Sequence, residues 1–254
     1  MNETTPTIDN RVAVVTGAAG NIGLATCRML CEAGARVIAT DLSEETLATG
    51  LAPLRERGLD IAAFALDVTD REATGRLFSR IEAGFGAIDI LVNNAGVWEH
   101  RDVKGCQCFE EMAETEIRRI VEINLFGVVN CVRAALPGMV ARGYGRIVNL
   151  GSIAGEVGLP GYADYAAVKA AVIMLTKTLA MENAKRGITV NSVSPGMIWR
   201  DVVPHEGTWV GRTGSADEVA RAIVFLASDA AGYMTGVDIP VDGGRTLGPH
   251  NCSM

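Results

Sequence analysis

Tyr165 and Lys169 stand four residues apart, and Ser152 precedes Tyr165 by thirteen. On a helix, residues at i and i+4 share a face, so the phenol and the ammonium project together. A free phenol, with a pKa near ~10, is a poor acid–base catalyst at neutral pH. A neighbouring ammonium lowers that pKa by stabilising the phenolate. A serine hydroxyl placed just after a predicted strand can hydrogen-bond a substrate oxygen. The three together suit proton transfer at an alcohol or carbonyl oxygen. Tyr-x-x-x-Lys alone describes a surface pair on a helix equally well, and it is Ser152 upstream that shifts the weight.

A second group lies near the N-terminus. The apolar run Val12–Thr16 leads into Gly17-Ala18-Ala19-Gly20-Asn21-Ile22-Gly23 and then into a helical pattern. Glycines allow a sharp turn and close backbone approach to a pyrophosphate, and a helix N-terminus offers free N–H groups and a positive dipole end. Asp41 ends the next apolar run, about 20 residues further on, where a carboxylate can accept hydrogen bonds from an adenosine ribose. Its charge would repel a 2′-phosphate, and no Lys or Arg lies between Ala18 and Asn21 or beside Asp41 to offset it. NAD is therefore expected over NADP. The plainer reading, Asp41 as a helix cap, competes with Ser43, which fills that role well.

The elements that must position these residues alternate short apolar runs with longer amphipathic segments, the mark of βαβ units and a parallel sheet. Strands are expected at 11–16, 36–40, 61–66, 87–92, 145–150, 188–193 and 237–241. Helices are expected at 22–33, 43–57, from Asp70 onward, over 110–141 with a break at Pro137, over 162–185, and from Ala216 to about Ser228 behind a Ser215 cap. The fold class is α/β: a single-domain Rossmann fold, a doubly wound seven-stranded parallel sheet with helices on both faces. Residues 1–10 read as a flexible N-terminal segment, 11–244 as the domain and 245–254 as a tail. Right-handed crossovers place the ligand crevice at the strand C-termini, where the motifs fall.

Bulk properties narrow the function classes. The chain has 254 residues, six cysteines and a net charge of −7. No basic run appears, which argues against nucleic acid. No uninterrupted apolar run of ~18 residues is present to suggest a membrane span. Residues 1–10 carry no secretory leader, and the expected location is cytoplasmic. Cys27 and Cys31 share a helix face and read as core. Cys106-Gln107-Cys108 lacks zinc-site spacing, so no metal is expected.

The chain resembles the short-chain dehydrogenase/reductase family from Arg11 to about Gly244. Thr16-Gly17 through Gly23 resembles the family's TGxxxGxG turn, Asp67-Val68 its adenine-holding acidic pair, and Asn93-Asn94-Ala95-Gly96 its NNAG segment. Asn124, Ser152, Tyr165 and Lys169 are similar to its catalytic tetrad, Pro195-Gly196 to its PG turn, and Val241-Asp242-Gly243-Gly244 to its C-terminal signature. The resemblance implies hydride transfer between a nicotinamide and a secondary alcohol or ketone. Tyr165 would be the general acid–base, with Lys169 lowering its pKa and holding the ribose. Ser152 would orient the substrate oxygen, and Asn124 would anchor a proton relay. Gly17, Asn21, Ile22, Gly23, Asp41, Asp67, Val68, Asn93, Ala95, Gly96, Pro195, Gly196 and Ile198 would line the cofactor, together with Tyr165 and Lys169. A homotetramer, or a dimer, with interfaces on the helices near 110–141 and 162–185, is also implied.

The chain departs from the family pattern in three places. Asn21 replaces the middle glycine of the turn. Arg200 stands where relatives carry a threonine that contacts the carboxamide. Only fourteen residues separate Gly196 from Gly211, too few for the usual helical lid. Either the site is more open or another element covers it, and the tail after Gly244 is one such element, reaching a neighbouring subunit's site. Trp98 and His100 follow NNAG; Met197, Trp199, Arg200, His205 and Trp209 lie in the short lid. They form an aromatic and cationic set for a polar or anionic cyclic substrate, with Arg200 suited to pair with a carboxylate or, alternatively, with Asp201, Glu206 or a cofactor phosphate. A 3-oxoacyl-thioester reductase and a non-catalytic dinucleotide-binding sensor or scaffold stand as alternatives.

Overall fold

A computed structural model describes residues 8–101 and 107–248. Seven parallel strands form one sheet in the order β3-β2-β1-β4-β5-β6-β7. They are β1 (Val12–Thr16), β2 (Arg36–Asp41), β3 (Ile61–Ala65), β4 (Ile88–Asn93), β5 (Gly145–Leu150), β6 (Ile188–Pro195) and β7 (Asp238–Val241). Helices cover both faces: α1 (Asn21–Glu32), α2 (Glu44–Glu56), α3 (Arg71–Phe85), α4 (Glu114–Val121), α5 (Gly127–Arg142), α6 (Ala154–Val157), α7 (Ala163–Asn183) and α8 (Ala216–Ala227).

The strands are apolar on both sides because both faces are covered. Along β1, Ala13 and Val15 pack with Leu30 of α1, Leu51 of α2 and Ile223 of α8. Val12 and Val14 point the other way, into a core with Phe78 of α3, Val132 of α5 and Val172 of α7. Cys27 and Cys31 are buried in the first of these cores, as their helical spacing requires. Ser43, Asp70 and Ser215 cap their helices with side-chain oxygens that accept from Thr46, Ala73 and Glu218 N–H groups, and Glu218 completes a capping box.

The 110–141 segment is largely helical, as expected, running from Glu114 to Arg142. One expectation is corrected: Pro137 breaks nothing. Pro137 lies inside α5 between the buried Ala135 and Met139, where packing offsets the one hydrogen bond that its ring removes. The irregularity sits earlier, as a π-helical turn over Glu122–Phe126 joining α4 to α5. The 114–142 run is also long and apolar enough, by length and composition, to cross a bilayer. Here Val128, Cys131, Val132, Ala135 and Met139 spend that apolarity on the core.

The topology turns back between β1 and β4, with β2 on one side of β1 and β4 on the other. The loops leaving the two strands therefore diverge and open a crevice at their C-terminal ends. The loops after β5, β6 and β7 end on the same edge.

Candidate active site

The crevice floor is built by hydrogen bonds between the loops after β1 and β4. Asn94 Nδ2 donates to the carbonyls of Thr16 (3.0 Å) and Gly17 (2.8 Å), and Thr16 Oγ1 accepts from the Asn94 and Ala95 N–H groups. Gly17 has φ 62°, and a Cβ there would stand 2.7 Å from Ala95 Cα, so only glycine permits this approach. Asn21 opens α1 at the surface, and no acid lies in that helix's first turn to compete for an anion. Asp41, at the end of β2, takes the Ala19 N–H on Oδ2 (2.9 Å) and the Leu42 N–H on Oδ1 (2.8 Å). Its carboxylate thus braces the glycine turn and keeps lone pairs for further donors. At the end of β3, Asp67 accepts from both Thr69 N and Thr69 Oγ1, while the buried Val68 is held by Asn130 Nδ2 on its carbonyl.

A cavity of about 890 Å³ opens beside this floor. Ile22, Asn94, Gly96, Ser152, Tyr165 and Lys169 belong to its wall. Lys169 is 5 % exposed, donates to the Leu150 carbonyl (2.8 Å), and lies with Nζ 5.6 Å from the Tyr165 ring centre. Burial pushes its ammonium down to about 8. Burial also pushes the Tyr165 phenol up, opposed by the Ser152 hydroxyl, which hydrogen-bonds to it. Thus the phenol is governed by desolvation rather than by the lysine, and Ser152 is the group that favours phenolate.

The π turn explains the position of Asn124. Its Nδ2 donates to Val97 O (2.8 Å) and Ile120 O (3.0 Å), while Oδ1 is buried with no partner. A Cβ on Gly96 would lie 2.7 Å from that Oδ1 and 3.6 Å from Lys169 Nζ. An orphaned acceptor, a buried cation and a cradle kept open by glycine therefore converge on one point. These features fit a nicotinamide dinucleotide: the anion-ready N-terminus of α1 for the pyrophosphate, Asp41 for a ribose, and Lys169 with Gly96 at the reacting end. Pro195, Gly196 and Ile198 complete that side of the cavity.

Other expected residues fall elsewhere. The Asn93 side chain is buried between strands and donates to Asn149 Oδ1 (2.8 Å), and its neighbour Asn94 faces the cavity instead. Trp98, Met197 and Trp199 do line the cavity. His100 does not: its ring is clamped between Asp164 Oδ2 (2.8 Å) and Gln107 Oε1 (3.0 Å). Those two hydrogen bonds hold the ring inward. Arg200 is exposed outside the wall, and His205 turns its Nδ1 to accept the Gly207 N–H (2.9 Å). The lid is a compact loop without helix, closed by a Pro204–Arg212 bridge and by the buried Thr208 and Thr213. The start of the tail covers what the lid does not: Arg245, Thr246 and Gly248 line the cavity of their own chain. These residues serve the cavity of their own chain, and 249–254 and Cys106 lie outside the described residues. The sequence signal for Arg245 was its place directly after the Val241–Gly244 signature. No group of three or more His, Cys, Asp or Glu able to hold a metal occurs among the described residues.

Fold and site together define a dinucleotide-dependent oxidoreductase. The family model described as short chain dehydrogenase matches residues 11–210. The chain is 40 % identical over 250 residues to a 3-oxoacyl-[acyl-carrier-protein] reductase of Haemophilus influenzae, covering 94 % of this chain and 100 % of that one. It is 42 % identical over 246 residues to a cis-4-hydroxycyclohexanecarboxylate dehydrogenase of Sinomonas cyclohexanicum, covering 93 % and 96 %. Its fold matches a gluconate 5-dehydrogenase from Burkholderia cenocepacia, crystallised with NADP and tartrate, at a TM-score of 0.88 and 35 % identity, covering 96 % and 98 %. The chain belongs to the short-chain dehydrogenase/reductase family, whose members bind a nicotinamide dinucleotide.

Proposed function

We propose that this protein is an NAD-dependent oxidoreductase interconverting a secondary alcohol and its ketone. The observation that carries the reading is the convergence of Ser152, Tyr165, Lys169 and the unpartnered Asn124 Oδ1 on one cavity wall. When bound, the dinucleotide supplies the hydride acceptor or donor. Tyr165 takes the hydroxyl proton as an alcohol is oxidised and returns it as a ketone is reduced. Ser152 donates its one O–H to the phenol oxygen when the site is empty and to the substrate oxygen when it is filled. Lys169 binds ribose hydroxyls and passes protons toward the Asn124 carbonyl, whose free lone pairs suit a water.

Asp41 supports NAD over NADP. It is already held by two N–H groups, so a 2′-phosphate would meet a fixed negative charge. The test compares kcat/KM with both dinucleotides in the wild type and in Asp41→Ala. The wild type should favour NAD, and the variant should lose most of that preference. A wild type that favours NADP would refute the assignment.

The substrate panel should hold 4-hydroxycyclohexanecarboxylate, its methyl ester, gluconate and acetoacetyl-CoA. A second reading, reduction of a 3-oxoacyl thioester, is favoured by the identity to 3-oxoacyl-[acyl-carrier-protein] reductases and to an acetoacetyl-CoA reductase of Allochromatium vinosum. Preferential turnover of acetoacetyl-CoA would select it. The quaternary structure proposed is a homotetramer. Its support is the family resemblance and the exposed Phe126, Met174 and Met181 on the long helices. Light scattering after size exclusion tests it, and a monomer at micromolar concentration would remove it.

A further inference from the structure

We propose that Arg245 is the specificity-determining residue of the cavity and takes a carboxylate on the substrate. The inference rests on the alcohol–ketone reading above and names its substrate class. Among the described residues, the charged side chains lining the cavity are Lys169 and Arg245, and no carboxylate lines it, although the chain as a whole carries −7. Local charge rather than net charge selects a ligand, and low-dielectric walls focus it.

The guanidinium is partly buried and oriented. Its Nη1 donates to the Gly207 carbonyl (3.0 Å) and rests 3.4 Å from Met197 Sδ. Gly207 is fixed in turn by its N–H to His205 Nδ1, so the short lid serves to aim the arginine. Arg245 makes no ion pair among the described residues. The acid nearest in sequence, Asp242, is engaged instead by the Gly244 N–H, the Thr246 N–H and the Thr246 hydroxyl. Nε and Nη2 keep their donors, and two such N–H groups in a planar fork match a carboxylate. Trp98 and Trp199, each about half exposed at the cavity, offer aromatic faces to the rest of the molecule. The fitting substrate is therefore a compact hydroxy acid or oxo acid with an apolar or cyclic body.

The experiment measures kcat/KM for 4-hydroxycyclohexanecarboxylate and its methyl ester in the wild type, Arg245→Leu and Arg245→Lys. A parallel titration follows tryptophan fluorescence as cyclohexanecarboxylate binds. The wild type should favour the carboxylate. Arg245→Leu should lower the carboxylate-to-ester ratio about 30-fold, in line with a hydrogen-bonded charge, and weaken cyclohexanecarboxylate in similar proportion. Arg245→Lys should fall between. A ratio unchanged in Arg245→Leu overturns the proposal, as does equal loss on both substrates or a wild type that prefers the ester. Weakened dinucleotide binding with the ratio intact would place the guanidinium on the cofactor and overturn it too. If neither probe turns over, the alcohol–ketone reading fails for this substrate class, and the titration still decides: loss of cyclohexanecarboxylate binding in Arg245→Leu supports the role, and unchanged binding ends it.

Discussion

Lys169 shows the compromise made at a single residue. Burial holds its ammonium at about 8, whereas an unfolded lysine stays protonated to about pH 10.4. Between those values the unfolded chain binds more protons than the folded one, so stability rises with pH across that window, and the full penalty is present below pH 8. Lys169→Met should therefore stabilise the cofactor-free protein at pH 7 by about 2 kcal/mol, after the lost bond to Leu150 O, and flatten that slope. Denaturant melts at pH 7 and pH 10 measure both quantities. A less stable variant that keeps the slope would show that burial of the charge is not the cause. Turnover should fall with the gain in stability, because the proposed function gives the same cation to the ribose and the proton path. The residue scale was also where the sequence was most legible. Ser152, Tyr165 and Lys169 could be read from spacing because strand ends and helical periodicity fix where they point. Arg200, His100 and Arg245 could not, because the direction of a loop side chain depends on its neighbours. Asp164 draws His100 inward, and Gly207 holds Arg245 toward the cavity.

At the scale of elements, the π turn at 122–126 and the short lid position the chemistry. The turn sends Asn124 Oδ1 toward Lys169, a feature that hydrophobic periodicity cannot disclose, since a single five-residue turn is too short to be told from a change of buried face. The lid is tied to α8 by Arg212, which meets both oxygens of Glu218 at 2.6 and 3.0 Å. That pair and the Ser215 N–H hold the Glu218 carboxyl at about 2. A depressed carboxyl contributes stability above its unfolded pKa, near 4.5, and loses it as pH falls toward 2. Glu218→Ala should cost about 1–2 kcal/mol through the lost capping box, and should raise the substrate KM with little change in dinucleotide affinity. Calorimetry and steady-state kinetics check the two halves. An unchanged KM would mean that the lid does not depend on this tie.

The whole molecule is one sheet between two helical layers, with its ligand edge set by the turning point between β1 and β4. The doubly wound parallel sheet followed from alternation and handedness, because few topologies satisfy right-handed crossovers; the order of its strands came from the structure. The limits of α4 and α5 did not follow, since tertiary packing tolerates Pro137 where local propensity disfavours it. A ligand that binds only the folded state stabilises all of it at once. NADH at about 100 times its Kd should add about 2.7 kcal/mol to unfolding free energy. NADPH at the same concentration should add less if Asp41 discriminates. Thermal shift with the two dinucleotides reads this directly, and equal shifts would contradict the selectivity.

The central claim is hydride transfer with Tyr165 as acid–base. The most direct measurement follows nicotinamide absorbance with NAD and the hydroxy-acid panel, in the wild type and in Tyr165→Phe, with NADH binding monitored by fluorescence in both. Turnover is expected in the wild type, with a loss of at least about 100-fold in the variant and NADH affinity little changed. Turnover that survives in Tyr165→Phe would contradict it.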